Sequence, residues 1–301
     1  MARQRLTGPR RPKAPYATIS ALAVVGGLGC LLLPLFGSFP WGSALRILIA
    51  CGTVAGWAAW LGRRSRLPTA DQVREVDRRP PVLFLRTFGK EAVSFSRKEL
   101  SPDLNPLQRA IRRLGEDPFE GVQTLERFLS AELTERVGPL MGLGDPTDRL
   151  PREGAARTWV ADGTWRSEIL RLIAEARCVI AEIHVSPGLA WELAQVLGAG
   201  RHRRLFLFTA PSTVGGRIST AVSVNNRVFR QHPESWENTV AFMKDVGYAL
   251  PEVHPGPGAV LGFNPSGGAI LLTTGATTAA GFVTPVVEAL ATMEAEAAGQ
   301  P

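Results

Sequence analysis

The sequence predicts an α/β protein: a two-helix transmembrane hairpin followed by a doubly wound, mostly parallel sheet. Three observations predict it. Two long uncharged stretches stand near the N-terminus, with all of the excess positive charge around them. Short apolar runs then alternate with amphipathic segments along the rest of the 301 residues. Breakers and helix caps separate those runs at the spacing of strand–helix units.

The charge distribution decides what the basic composition means. Net charge is +7. Residues 1–66 hold nine Lys/Arg and no Asp/Glu, leaving 25 basic and 27 acidic groups in residues 67–301. A nucleic-acid footprint belongs on the folded domain. Here that domain is near neutral, so no nucleic-acid partner is expected. At 45% apolar and 20% charged residues, the chain is neither disordered nor a disulfide scaffold.

Residues 16–36 are 21 consecutive uncharged residues, enough as a helix to cross hydrocarbon about 30 Å thick. Residues 41–62 form a second stretch, broken only by Arg46, which can snorkel to the nearby interface. Trp41, Trp57 and Trp60 lie close to its ends, as interface anchors do. Residues 37–43 leave room only for a tight turn. Arg3, Arg5, Arg10, Arg11 and Lys13 precede the first stretch, and Arg63, Arg64 and Arg66 follow the second. Basic flanks face the cytoplasm, which puts both termini there, in a multi-pass protein of the plasma membrane whose first partner is the lipid bilayer. A cleaved signal peptide would need a shorter apolar region, a cleavage site and no second span. Residues 254–287 are also free of charge apart from His254, but Pro255, Pro257, Pro265 and Pro285 interrupt them. They read as strand and loop. The expected organisation is a basic N-terminus (1–15), the hairpin (16–62), a linker (63–80) and a cytoplasmic α/β domain (81–301).

Within that domain, residues 81–87 follow Pro80-Pro81 and read as a buried strand. Residues 89–118 are irregular, with weak helix over 106–114. Residues 124–137 read as a helix capped by Thr124, with Leu125, Phe128, Leu129 and Leu133 on one face. A short strand is expected at 139–143, a turn-rich loop at 144–154 and another short strand at 157–161. Residues 164–176 are helical, with Ile169, Leu170, Leu172 and Ile173 toward the core. Residues 178–183 form a central strand. Ser186-Pro187 then opens a helix to about residue 199, with Ser as cap and Pro at the first helical position. Residues 204–209 form the next strand. Residues 234–247 and 280–298 are helical, and 259–263 with 269–273 make a hairpin around 264–268.

Cys30, Cys51 and Cys178 make no disulfide framework or zinc spacing, and His184, His202, His232 and His254 form no ligand pair. No metal and no resident cofactor are expected. No P-loop, GxGxxG or GxSxG pattern is present, which argues against ATPase, dehydrogenase and α/β-hydrolase chemistry.

Doubly wound sheets place their sites at the carboxyl ends of the strands. That rule selects residues 86–88, 142–148, 162–165 and 184–192. The last segment is the most informative. A helix N-terminus there favours anionic groups, and Gly188 lets a ligand approach the backbone. Glu192 sits roughly 80° from the centre of the apolar stripe of Leu189, Leu193, Val196 and Leu197, at the margin of the core. Partial burial there would raise its pKa, and Trp191 would wall a pocket. A boundary Glu paired with an arginine, beside a packing Trp, is the alternative.

Residues 176–183 (Ala-Arg-Cys-Val-Ile-Ala-Glu-Ile) and 188–194 (Gly-Leu-Ala-Trp-Glu-Leu-Ala) resemble the nucleoside 2-deoxyribosyltransferase pattern. They also resemble the Toll/interleukin-1 receptor (TIR) domain group, with its catalytic Glu. With the two spans, the Leu-Arg-Thr-Phe strand end at residues 85–88 and the Gly-Ala-Ala-Arg loop at 154–157, the chain is similar to bacterial two-span membrane proteins with a TIR-like domain. The resemblance covers about residues 81–210. It implies a flavodoxin-like sheet and a nucleotide ligand, with NAD or a related nucleotide as substrate. Glu192 would act at the anomeric carbon of a ribosyl group, where cleavage of an N-glycosidic bond builds oxocarbenium character. Ser186 and the N–H groups after it would hold a phosphate or ribose hydroxyl, beside Gly188 and Trp191. Arg86, next to Thr87, or Arg157 would offset substrate charge, and Asp162 would hold a ribose hydroxyl. Each arginine is alternatively a surface ion-pair partner, and Asp162 a helix cap. Homo-oligomers through the TIR-like domain or the spans are a further expectation. The alternative function is a non-catalytic, membrane-tethered signalling or protein-interaction module.

Overall fold

A computed structural model describes residues 15–30, 32, 40–85, 124–144, 154–160, 164–182, 185–209 and 235–299. Two apolar helices come first, α1 (Tyr16–Cys30) and α2 (Trp41–Ser65). They pack against each other through small residues. The Ser20 hydroxyl donates to the Ala55 carbonyl at 3.1 Å, Gly27 meets Cys51 and Leu48, and Gly62 meets Tyr16. Those pairings run in opposite directions along the two helices. Within α2, Trp41–Gly62 is long and apolar enough to cross a membrane. The 15 residues of α1 span only about 22 Å at 1.5 Å per residue, so the described helix is shorter than the 21-residue span expected.

The stretch expected to be a linker holds a helix, α3 (Ala70–Val76). Thr69 caps it in a reciprocal capping box with Gln72, a signal the sequence carries in Thr-Ala-Asp-Gln. Thr69 also bridges to Arg157, and Ala70 and Val73 pack on Met141 and Ala156. Residues 69–76 are therefore part of the domain.

Among the described residues, seven strands follow: β1 (Val82–Leu85), β2 (Leu140–Leu143), β3 (Ala156–Thr158), β4 (Cys178–Ala181), β5 (Leu205–Phe208), β6 (Val260–Phe263) and β7 (Ala269–Thr273). They form one mixed sheet in the order β3-β2-β1-β4-β5-β6-β7. The first five are parallel, and β6 and β7 are antiparallel to their neighbours. Residues 254–287 thus hold β6, β7 and the start of a helix. β3 begins one residue before the strand expected at 157–161 and ends at Thr158, β4 ends at Ala181, and residues 86–87, 161 and 183 of the expected strands lie outside the described residues.

Among the described residues, five further α-helices are α4 (Leu125–Arg136), α5 (Trp165–Glu175), α6 (Pro187–Gly198), α7 (Trp236–Val246) and α8 (Ala279–Ala297). They cover both faces, because alternate strand residues point to opposite sides. Val82, Phe84, Cys178, Ile180, Phe206 and Phe208 pack with α4 and α8. Leu83, Leu85, Val179, Ala181, Leu205 and Leu207 pack with α5, α6 and α7. The connection from β1 to β2 runs through α4 on one face. Those from β3 to β4 and from β4 to β5 run through α5 and α6 on the other. Helices change face where the chain reverses its direction of travel across the sheet, and that reversal falls between β1 and β4.

The buried ion pair of Glu126 with Arg157 ties α4 to the sheet edge. Glu126 accepts from the Arg157 guanidinium and from the Ala155 N–H, and Arg157 also donates to the Leu143 carbonyl at 3.3 Å. Both side chains are buried. Gly154 has φ +128°, and a Cβ there would fall 2.7 Å from the Glu126 carboxylate, so this turn requires glycine.

Candidate active site at the carboxyl edge of β1 and β4

Ligands in open α/β sheets bind outside the carboxyl ends of the strands at the point where strand order reverses. Here that point lies beyond Leu85 and Ala181, which are direct neighbours across β1 and β4. The Glu182 N–H donates to the Leu85 carbonyl at 3.1 Å and extends the pairing by one step. The chain then turns into α6.

Ser186 caps that helix, its hydroxyl accepting from the Leu189 N–H at 3.2 Å. Pro187 fixes the first turn. Among the described residues, nothing lies within 4 Å of where a Gly188 Cβ would stand. Trp191 is half-buried. Its ring meets that of Trp165, the first residue of α5, edge-to-face. The Arg166 guanidinium stands over both rings, 5.5 Å from Trp165 and 5.2 Å from Trp191.

Glu192 lies deeper than the margin the sequence suggests. It is 4% exposed and falls in one stripe with Leu189, Leu193 and Val196. Among the described residues, no hydrogen bond or ion pair reaches its carboxyl group. Burial alone pushes its pKa up to about 8. No family, curated protein or solved structure matches the chain.

Of the expected site residues, Ser186, Gly188, Trp191 and Glu192 lie on the first two turns of α6 beside the reversal. Arg86, Thr87 and Asp162 lie outside the described residues. Arg157 is not a substrate-facing charge. Its burial against Glu126 at the far edge of the sheet assigns it to the fold. Gly142 and Gly144, also selected from sequence, pack against Arg157 and the Trp159 ring. The helix at 164–176 is preceded by Thr164 in the cap position.

Two features were not singled out from sequence. Glu182, directly after β4, is a second buried carboxylate at this edge of the sheet. A charged residue closing an otherwise apolar strand was its visible signal. Arg166 is the other, and only the meeting of α5 with α6 reveals it.

The arrangement can do two things chemically. A neutral Glu192 donates a hydrogen bond near pH 7. A cationic group brought against it would draw off its proton and leave a carboxylate facing positive charge. Among the described residues, no three His, Cys, Asp or Glu side chains are grouped to hold a metal ion.

Proposed function

We propose that this is a membrane-anchored protein whose TIR-like, doubly wound domain binds a nucleotide at the β1–β4 reversal and cleaves its N-glycosidic bond with Glu192. The observation that supports this most is the coincidence of a buried, unpaired carboxyl group with the topological ligand position. Dropping the three-residue edge strand β3 leaves the parallel order β2-β1-β4-β5, the beginning of a flavodoxin-like sheet. An NAD-type substrate suits the site because its nicotinamide ring is cationic. The ring would convert Glu192 to the carboxylate. The C–N bond then breaks with its electron pair leaving on nicotinamide, the carboxylate stabilises the oxocarbenium, and water adds and loses a proton. Trp191 and Trp165 offer ring faces for a base.

A second reading is a non-catalytic binding module for signalling. The depth of Glu192 favours it, since a group 4% exposed reaches a ligand only where the neighbouring loops make room.

We further propose that α1 and α2 form a transmembrane hairpin with both termini in the cytoplasm. Among the described residues, 12 of the 18 exposed large apolar side chains stand on α1, α2 and Leu32 between them. That concentration is far beyond what a water-facing surface carries.

The test is to reconstitute the full chain in phosphatidylcholine nanodiscs, add NAD and follow nicotinamide by chromatography. Release above the buffer rate supports the enzyme. Saturable quenching of tryptophan fluorescence with no release supports the binding module instead.

A further inference from the structure

At the opposite, amino edge of the sheet lies a notch of about 250 Å³ lined by Arg79, Arg177, Arg201 and Arg204, with Glu175 as its acidic group. Glu175 is already engaged by Arg74 and Arg171. Arg79 pairs with Asp77, and Arg177 with Glu294. Arg201 and Arg204 have no carboxylate partner among the described residues. Main-chain oxygens hold both in place: Arg201 donates to the Ala174 and Ala176 carbonyls at 2.6 Å, and Arg204 to the Arg177 carbonyl at 3.1 Å. Their charges are close enough that Arg204, after burial, depresses the pKa of Arg201. Two uncompensated guanidiniums, pre-positioned at one notch, are complementary to a phosphate group.

The amino edge is also the edge at which the helix pair joins the domain. Leu67 and Pro68, just past the end of α2, line a neighbouring cleft with Pro139 and Leu140 at the amino end of β2. A bilayer holding α2 therefore lies on the notch's side of the sheet, away from Glu192. Arg64, at the end of α2, and Arg66, just past it, stand along the same approach.

We propose that the notch of Arg201 and Arg204 binds the phosphate of an anionic phospholipid headgroup, holding the amino edge of the sheet against the membrane. The lipid source rests on the membrane reading of α1 and α2. Docking in this way leaves the carboxyl edge facing the cytoplasm, open to a soluble nucleotide.

The experiment places the full chain in nanodiscs of phosphatidylcholine alone or with one-fifth phosphatidylglycerol and measures amide hydrogen exchange. Exchange over residues 174–178 and 200–206 is expected to slow about fivefold or more with phosphatidylglycerol, the effect of one basic side chain at an anionic surface. The difference is expected to disappear in Arg201→Gln/Arg204→Gln. Because Arg201 also holds the end of α5, Arg204→Gln alone is the second variant, expected to lose most of the difference. Exchange over β1 and β6, which lie outside both windows, checks that each variant is folded. Protection by millimolar inorganic phosphate but not by phosphatidylglycerol overturns the lipid assignment. Equal exchange in both nanodiscs, or protection that survives the double substitution, overturns the site. A chain that alkaline carbonate strips from phosphatidylcholine vesicles overturns the membrane reading and this proposal together. One that stays and shows no lipid difference overturns this proposal alone.

Discussion

The Trp191 ring of α6 meets the Trp165 ring of α5 at 5.0 Å between centroids and an interplanar angle of 75°. The contact locks the first turn of α5 to the second turn of α6, two helices that both start at the carboxyl edge. It also places an aromatic wall one residue from the buried carboxyl of Glu192. Trp165→Ala should therefore cost about 1 kcal/mol beyond the lost burial, the worth of an aromatic pair. It should also weaken nucleotide binding. Titration of wild type and variant with NAD, read by calorimetry in nanodiscs, checks it.

Glu192 gives the domain a pH signature. Its pKa is about 8 in the folded protein and near 4.5 when unfolded. Its folded proton is held more tightly, so stability is fully present below pH 4.5 and is lost as pH rises through about 8. The loss reaches about 3 kcal/mol at pH 7. Glu192→Gln removes that dependence. Its melting temperature should match or exceed wild type at pH 7.5, and the gap should close by pH 4.5. Melting curves of both proteins across that window test the sign.

The pair of Glu126 and Arg157 should behave as a buried structural ion pair. Glu126→Gln keeps an acceptor for the Ala155 N–H and leaves the Arg157 charge uncompensated. A loss of about 3 kcal/mol is expected, measured by urea unfolding. Activity per folded molecule should not change, because the pair lies at the edge of the sheet remote from β4.

Truncation separates the helix pair from the domain. A chain beginning at Leu67 should be soluble and folded. One beginning at Arg74 loses the capping box and the packing of Ala70 and Val73 on Met141 and Ala156. It should be about 2 kcal/mol less stable. Equal stability of the two would show that α3 contributes nothing to the sheet edge.

Much of this was legible in the sequence, and the reasons are specific. Thr124, Ser186-Pro187 and the alternating apolar runs reported local physics, so α4, α6 and the central strands fall close to where expected. The 264–268 turn marked the β6–β7 hairpin because Asn264 supplies the side-chain acceptor that closes it. What failed depended on long-range partners. Arg157 looked like a surface charge because its partner Glu126 is 31 residues away in the chain. Glu192 looked marginal because helical periodicity shows one face of α6 but not that α5 and α7 close over its sides. The helix α3 was hidden by its polar residues, since the apolar side chains it lays on the sheet are Ala70 and Val73 alone. The arginine notch has no sequence signature, because it draws on residues before three different strands.

The proposed role of Glu192 is chemistry on a nucleotide. The direct measurement is nicotinamide release from NAD by the full chain and by Glu192→Gln, each normalised to folded protein. The account predicts a fall of about 100-fold or more, the scale of removing one electrostatic catalytic group, with no loss of melting temperature at pH 7.5. A Glu192→Gln protein that melts lower yet releases nicotinamide at the wild-type rate would contradict it.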